Sequence, residues 1–163
     1  MKLLRSASVM LLVSTACSPA FAITDTVTIN VSGTLTRPPC VVTGSKTLSV
    51  DFGTRRYDQV DKAPLVAVPI NLTCPPNSSL NVSVKASSAV AGSTTQAATG
   101  MTNLAYGLTW NSDNSDVNIT GVKKTLTKLS GAVDLGMKAK LISTGTLTEG
   151  SFSASTVVSI EYL

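Results

Sequence analysis

The chain contains no histidine. That absence removes the commonest general base, the commonest metal ligand and every Ser-His or Cys-His nucleophile pairing. Charge is sparse as well: charged residues make up 13% of the chain and carboxylates number 9 in all. Asp113 and Asp116, with Asn111, Asn114 and Asn118, are oxygen donors of the kind calcium takes, but no EF-hand spacing or bidentate Glu closes the loop, so the stretch reads as a solvated turn. No CxxC spacing offers a redox or zinc site. Beyond the N-terminal leader no apolar run is long enough to cross a bilayer. Aromatic residues are few, at 4%, while Val, Thr, Ser and Ala abound, which favours many short strands over helices. No catalytic residue, metal, cofactor, nucleic acid or small-molecule substrate is expected, and the chain does not read as an enzyme.

What is present begins with a leader. Residues 1–22 carry Lys2 and Arg5, an apolar run at 9–13 and the small-x-small site Ala20-Phe21-Ala22, the pattern of a secretory signal peptide. A lipid-modified Cys17 after Ser14-Thr15-Ala16 is the weaker alternative, because a large apolar residue is usual where Ser14 stands. Without Lys2 and Arg5, 11 basic residues face 9 acidic ones, a net charge of +2. That excess is too small and scattered to indicate a nucleic-acid or membrane surface. The mature remainder suits one domain with a real core. Its two cysteines, Cys40 and Cys74, read as a disulfide in an exported chain, with two buried thiols as the alternative.

Alternation with a period of two dominates the rest. Residues 23–35, ITDTVTINVSGTL, place Val27, Ile29, Val31 and Leu35 on one face, with Gly33 interrupting the apolar set and Thr26, Thr28, Asn30, Ser32 and Thr34 on the other. Further runs are Leu48, Val50 and Phe52; Val66, Val68, Ile70 and Leu72; Leu80, Val82 and Val84; Leu104, Tyr106 and Leu108; Val133, Leu135, Met137, Ala139 and Leu141; and Phe152, Ala154, Thr156, Val158, Ile160 and Tyr162. Pro75-Pro76-Asn77, Ala91-Gly92-Ser93 and residues 111–116 read as turns, and 54–62 as a loop or short helical turn. Pro69 points to an edge, a bulge or a strand switching sheets. Tyr106 and Trp110 read as core. Arg55-Arg56 and Lys123-Lys124 read as loop or edge charges, and the five Asn-x-Ser/Thr triplets carry no function. Some seven strands with one apolar face each need a partner surface, so two packed sheets, an immunoglobulin-like sandwich, are expected.

A nearly uncharged, strand-forming terminus is an aggregation hazard unless something pairs with it. Taken with the leader, the Cys pair and an alternating run that ends the sequence, this segment makes the chain resemble subunits of the chaperone-usher pili of Gram-negative bacteria, the type 1 and P pilus class. Gly150 stands fourteenth from the end and Tyr162 is penultimate, with alternating apolar residues between them. Val50-Asp51-Phe52-Gly53 and Leu72-Thr73-Cys74 are similar to segments flanking the two cysteines in that family.

The resemblance implies an incomplete immunoglobulin-like sandwich lacking its last strand and completed by donor-strand exchange. Residues 23–36 would be the donor extension, with Val27, Ile29, Val31, Gly33 and Leu35 entering a neighbour, and 37–163 the pilin domain. Gly150, Phe152, Ala154, Thr156, Val158, Ile160, Tyr162 and Leu163 would form the acceptor groove and chaperone-binding side. Thr156 would make that groove locally shallower or wetter. The implied partners are a periplasmic chaperone, an outer-membrane usher and neighbouring subunits, and the implied location is the cell-surface fimbria. The short extension and the Pro38-Pro39-Cys40 junction favour a minor tip or adaptor subunit over the rod subunit. A receptor-binding adhesin is disfavoured, because only about 17 residues of mature chain precede Cys40 and leave no room for a lectin domain.

Overall fold

The alternating segments pair wherever another segment lies within reach. The computed structural model describes residues 25–163; the expected leader at 1–22, Cys17, Ile23 and Thr24 lie outside the described residues. Two units are distinguished, divided between Leu35 and Thr36. In the first, residues 25–35 carry no strand or helix, and Val27, Ile29, Val31 and Leu35 are 80–102% exposed. The alternation of a strand is present there without a ladder.

Thr36–Leu163 is all-β apart from one 3-10 turn, Tyr57–Lys62. Its strands are β1 (Val41–Thr43), β2 (Val66–Val68), β3 (Asn71–Ala86), β4 (Gln96–Ala98), β5 (Leu104–Trp110), β6 (Thr120–Asp134), β7 (Met137–Ser143) and β8 (Thr156–Tyr162). They form two antiparallel sheets. One is built on the long β3, which pairs with β6 along one edge and with β1 and β8 at opposite ends of the other. The second runs in the order β2-β7-β5-β4. Between the two sheets lie Leu72, Leu80, Val82 and Val84 of β3 and Met137, Ala139 and Leu141 of β7, with Trp110, Val117 and Ile119, all buried. This is the immunoglobulin-like sandwich that the alternation requires.

The chain changes sheets at two adjacent places. Pro69 and Ile70 separate β2 from β3, so the run from Val66 to Leu72 is two strands in different sheets. Proline has no N–H to give to a ladder, which makes this a natural break. Leu135 and Gly136 separate β6 from β7, and the Leu135 N–H donates to the Ile70 carbonyl at 2.8 Å. A Cβ on Gly136 would lie 2.5 Å from Asn111 Nδ2 and 2.7 Å from Asp134 Oδ1, so any larger residue would have to displace those two side chains. The parity from Val133 to Leu141 survives the switch because both sheets face one core.

Several expectations change. Pro75-Pro76-Asn77 is not a turn; it is a bulge inside β3, where the register slips between Cys74 and Ser78 and Asn77 takes φ 60°. Two prolines remove ladder donors, but β6 continues alongside and the pairing resumes at Ser78 opposite Leu129. Leu48, Val50 and Phe52 form no strand, although Phe52 is buried, because no strand lies beside them. Asp51 instead accepts from the Gly53 N–H at 2.7 Å in a turn. Lys123 and Lys124 lie on β6, an edge strand that alternation did not reveal. The turns at Ala91-Gly92-Ser93 and 111–116, the helical turn after Thr54, and the burial of Trp110 agree with expectation. Cys40 and Cys74 are joined in a disulfide and both are buried.

Candidate functional site

The sandwich is open along one side. Among the described residues β8 pairs only with β3, so its outer edge presents backbone N–H and C=O groups with no ladder partner. Beside that edge runs a groove of about 850 Å³. Its floor is the inner face of the second sheet, with Tyr106 and Leu108 from β5 and Met137, Ala139 and Leu141 from β7. One wall is β8 with the residues leading into it, and the other is the irregular segment 45–52, which contributes Leu48, Val50 and Phe52. Lys46 is the one charged side chain in the lining.

β8 builds its wall through strand parity. Val158, Ile160 and Tyr162 stand opposite Val84, Val82 and Leu80 of β3, all three in the core, so this set faces inward and the alternate set outward. Phe152, Ala154, Thr156, Val158, Ile160 and Tyr162 all line the groove. Gly150 and Leu163 do not. Gly150 lies ahead of it at φ 156°, where a Cβ would meet Met101 Cε at 2.9 Å. Leu163 lies beyond it, its N–H donating to the Ser79 carbonyl at 3.0 Å and its side chain 68% exposed.

Thr156 is the polar member of the inward set, and its hydroxyl is satisfied: the Tyr106 hydroxyl lies 2.5 Å from Thr156 Oγ1. The same hydroxyl lies 3.4 Å from the Ser155 carbonyl. Tyr106 therefore bridges floor to wall. Reading Tyr106 as core missed this role; a tyrosine aligned in parity with Leu104 and Leu108 was the available signal, since a half-buried phenol needs a partner. The groove-facing side chains of 45–52 were readable as apolar alternation but not as a wall.

On the outward face of β8, Glu161 accepts from Lys123 Nζ at 2.6 Å and from Asn81 Nδ2 at 3.3 Å. These hydrogen bonds, Lys123 first, hold its carboxyl below the ordinary range. The charges at 111–116 are likewise engaged at the surface: Asp113 accepts from the Ser115 hydroxyl at 2.6 Å, and Asp116 pairs with Lys140 at 3.5 Å.

An immunoglobulin-like sandwich whose last strand has an unpaired edge beside an apolar groove is the class of domain these features define, and solved pilus subunits share its fold. The P pilus rod subunit PapA matches with a TM-score of 0.66 at 21% identity, covering 77% of this chain and 100% of that one. A chaperone-usher pilus studied for rod uncoiling matches at 0.65 and 19% identity, over 90% of this chain and 100% of that one. The P pilus adaptor subunit PapF matches at 0.56 and 23% identity, over 77% and 97%. The family model for fimbrial proteins matches residues 29–163, and the chain belongs to that family, one of structural pilus subunits and not of enzymes. No curated protein sequence is significantly similar to it.

Proposed function

We propose that the protein is a structural subunit of a chaperone-usher fimbria that polymerises by donor-strand complementation and exchange. The observation that carries the reading is the conjunction of β8's free edge and apolar groove with an exposed alternating segment at 27–35 in the same chain. An open sheet edge and an orphan strand are each a liability alone. Strand addition removes both, through main-chain hydrogen bonds and through side chains seated on one face. Val27, Ile29, Val31 and Leu35 would each contribute roughly 1.5–3 kcal/mol when fully buried.

On this reading a periplasmic chaperone lends a strand to the groove first, with the Leu163 carboxylate as its anchor point. At the outer-membrane usher the extension of the next subunit replaces that strand, and the finished fibre stands on the surface of a Gram-negative cell. Residues 23–36 act as the extension and 37–163 as the acceptor domain. Within the fibre we place the chain as a minor tip or adaptor subunit, on its short extension and the stiff Pro38-Pro39-Cys40 junction. Immunogold labelling checks that position: sparse or terminal label supports it, and continuous label along the shaft makes the chain the rod subunit.

The decisive experiment compares unfolding of two periplasmic proteins, residues 36–163 alone and the same domain with a flexible linker and residues 25–35 appended after Leu163. A bare domain that aggregates or needs a chaperone, beside a stable fused monomer, supports the missing strand and its identity. Instability without rescue keeps the vacancy and assigns the donor to a different subunit. A bare domain that is monomeric and cooperatively folded overturns the reading.

A further inference from the structure

Among the strands that end a sheet, β1, β2 and β4 are three residues long each. Only β6 and β8 present a longer edge, and among the described residues each pairs with β3 alone. The two edges are built differently. β8 borders the large groove and contributes no charged side chain to its lining. β6 lies at the other edge of the same sheet, where a smaller recess of about 180 Å³ opens between Val82, Val84 and Trp110 of the core and Val122 and Lys124 of β6.

Lys124 holds a position that strand parity gives to an apolar residue. It pairs with Val82, and Leu126 pairs with Leu80, with no slip of register between the two pairs. Val82 and Leu80 are core residues, so Lys124 stands on the inward face of β6. Its ammonium lies 4.8 Å from the centre of the Trp110 ring and 3.8 Å from Asp113 Oδ2, while the side chain stays 43% exposed. Ring and carboxylate hold the charge at the mouth of the recess with water still on it. The backbone of this edge is interrupted as well: Gly121, Lys128 and Gly131 take φ of 92°, 58° and 67°. The longest stretch between those positions is 122–127, and Lys124 lies inside it.

We infer that Lys124 bars strand addition at β6 and so leaves β8 as the one long edge of the domain open to an incoming strand. The inference rests on the donor-strand reading above and names the residue that decides which edge the strand takes. A strand laid along 122–127 would close the recess over Lys124 and strip water from an ammonium whose only carboxylate partner is 3.8 Å away and itself half exposed, which is unfavourable. Turning the side chain out instead gives up the ring and the carboxylate. An inward-pointing charge on an edge strand is a general means of refusing a partner. At β8 the corresponding inward positions are Val158, Ile160 and Tyr162, which carry no charge and invite one. The chain needs such a guard because it carries its own exposed strand-former at 27–35.

The test removes the charge and keeps the stem. In the full-length secreted protein, Lys124→Met should raise the rate of association, followed by light scattering, roughly tenfold or more. Hydrogen exchange should show new protection of the backbone amides of 122–127, and the thermal unfolding midpoint should stay where it is in wild type. Lys124→Arg, which keeps the charge, should associate like wild type. Adding Val122→Lys to Lys124→Met returns a charge to the same inward face and should restore the wild-type rate. If Lys124→Met does not fold, Lys124→Val takes its place.

Unchanged association, or added association without protection at 122–127, overturns the inference. So does association that rises with a lowered unfolding midpoint and is not reversed by Val122→Lys, since Lys124 is then a packing residue. Ile160→Asp separates the two edges. Association of Lys124→Met that persists with Ile160→Asp runs through β6 and supports the inference, and association that Ile160→Asp abolishes runs through the groove and overturns it. Normal fibres from Ile160→Asp alone overturn the donor-strand reading and leave the result at β6 standing.

Discussion

Cys40 and Cys74 close a loop with a sequence separation of 34 residues and tie the approach to β1 onto β3. In the chain-entropy account such a loop contributes about 3–4 kcal/mol by restricting the unfolded chain. Replacing both cysteines by serine, or reducing the bond, should lower the urea-unfolding free energy of the donor-completed domain by that amount. Gly136 sits where a Cβ would be 2.5 Å from Asn111 Nδ2; Gly136→Ala has to displace the Asn111 and Asp134 side chains and should cost roughly 1–3 kcal/mol in the same assay. Glu161 supplies a pH dependence of known sign. Its folded-state pKa is depressed below the ordinary 4.5 by Lys123 and then Asn81, so its contribution is present above pH 4.5 and is lost as pH falls through the lower folded value. Thermal unfolding against pH should show wild type losing stability more steeply below 4.5 than Glu161→Gln. The effect is small, since the carboxylate and Lys123 are both more than half exposed.

At the scale of the element, β8 is a strand with two unlike faces and one unpaired edge. Ile160 faces the groove and Ser159 faces solvent beside the outer face of β3. Ile160→Asp places an unpaired charge in an apolar channel that the proposed donor strand would seal, whereas Ser159→Asp leaves the charge in water. Fibre yield from cells carrying each variant should fall sharply for the first and stay near wild type for the second; equal yields would mean that the groove is not where assembly occurs. The other wall, 45–52, has the apolar spacing of a strand but no partner, which is why it runs irregularly. β6 is the reverse case, a long paired strand whose sequence lacks alternation because it lies at an edge and most of its residues face solvent.

At the scale of the whole molecule, the sandwich sets a four-stranded second sheet against a first sheet in which, among the described residues, β8 pairs only with β3. Backbone amides on β8's free edge should exchange with solvent rapidly in a subunit without a donor and become protected in the donor-completed form. Hydrogen exchange of the two proteins measures this directly, and equal protection would contradict a vacant strand position. If the proposed donor strand is required, the stability of a subunit lies in its assembly, because anything that binds only the folded form shifts the equilibrium by mass action.

Much of this was legible in the residues because a period of two reports a face without reference to anything distant. The inward set of β8, the exposed alternation of 27–35, the cysteine pair and the spacing from Gly150 to Tyr162 are all local patterns. Sheet membership was not legible: Val66 to Leu72 reads as one strand and is two, and Pro75-Pro76-Asn77 reads as a turn and is a bulge, because β6 runs alongside. Nor was the Tyr106–Thr156 bridge, whose partners are separated by 50 residues in sequence. By itself the sequence determined which side chains are apolar, at what period, and hence that the protein is built of strands with one face to bury. Only the tertiary structure decided which edges are paired, where the groove lies and which hydroxyls meet across it, since those depend on contacts between segments that no local pattern encodes.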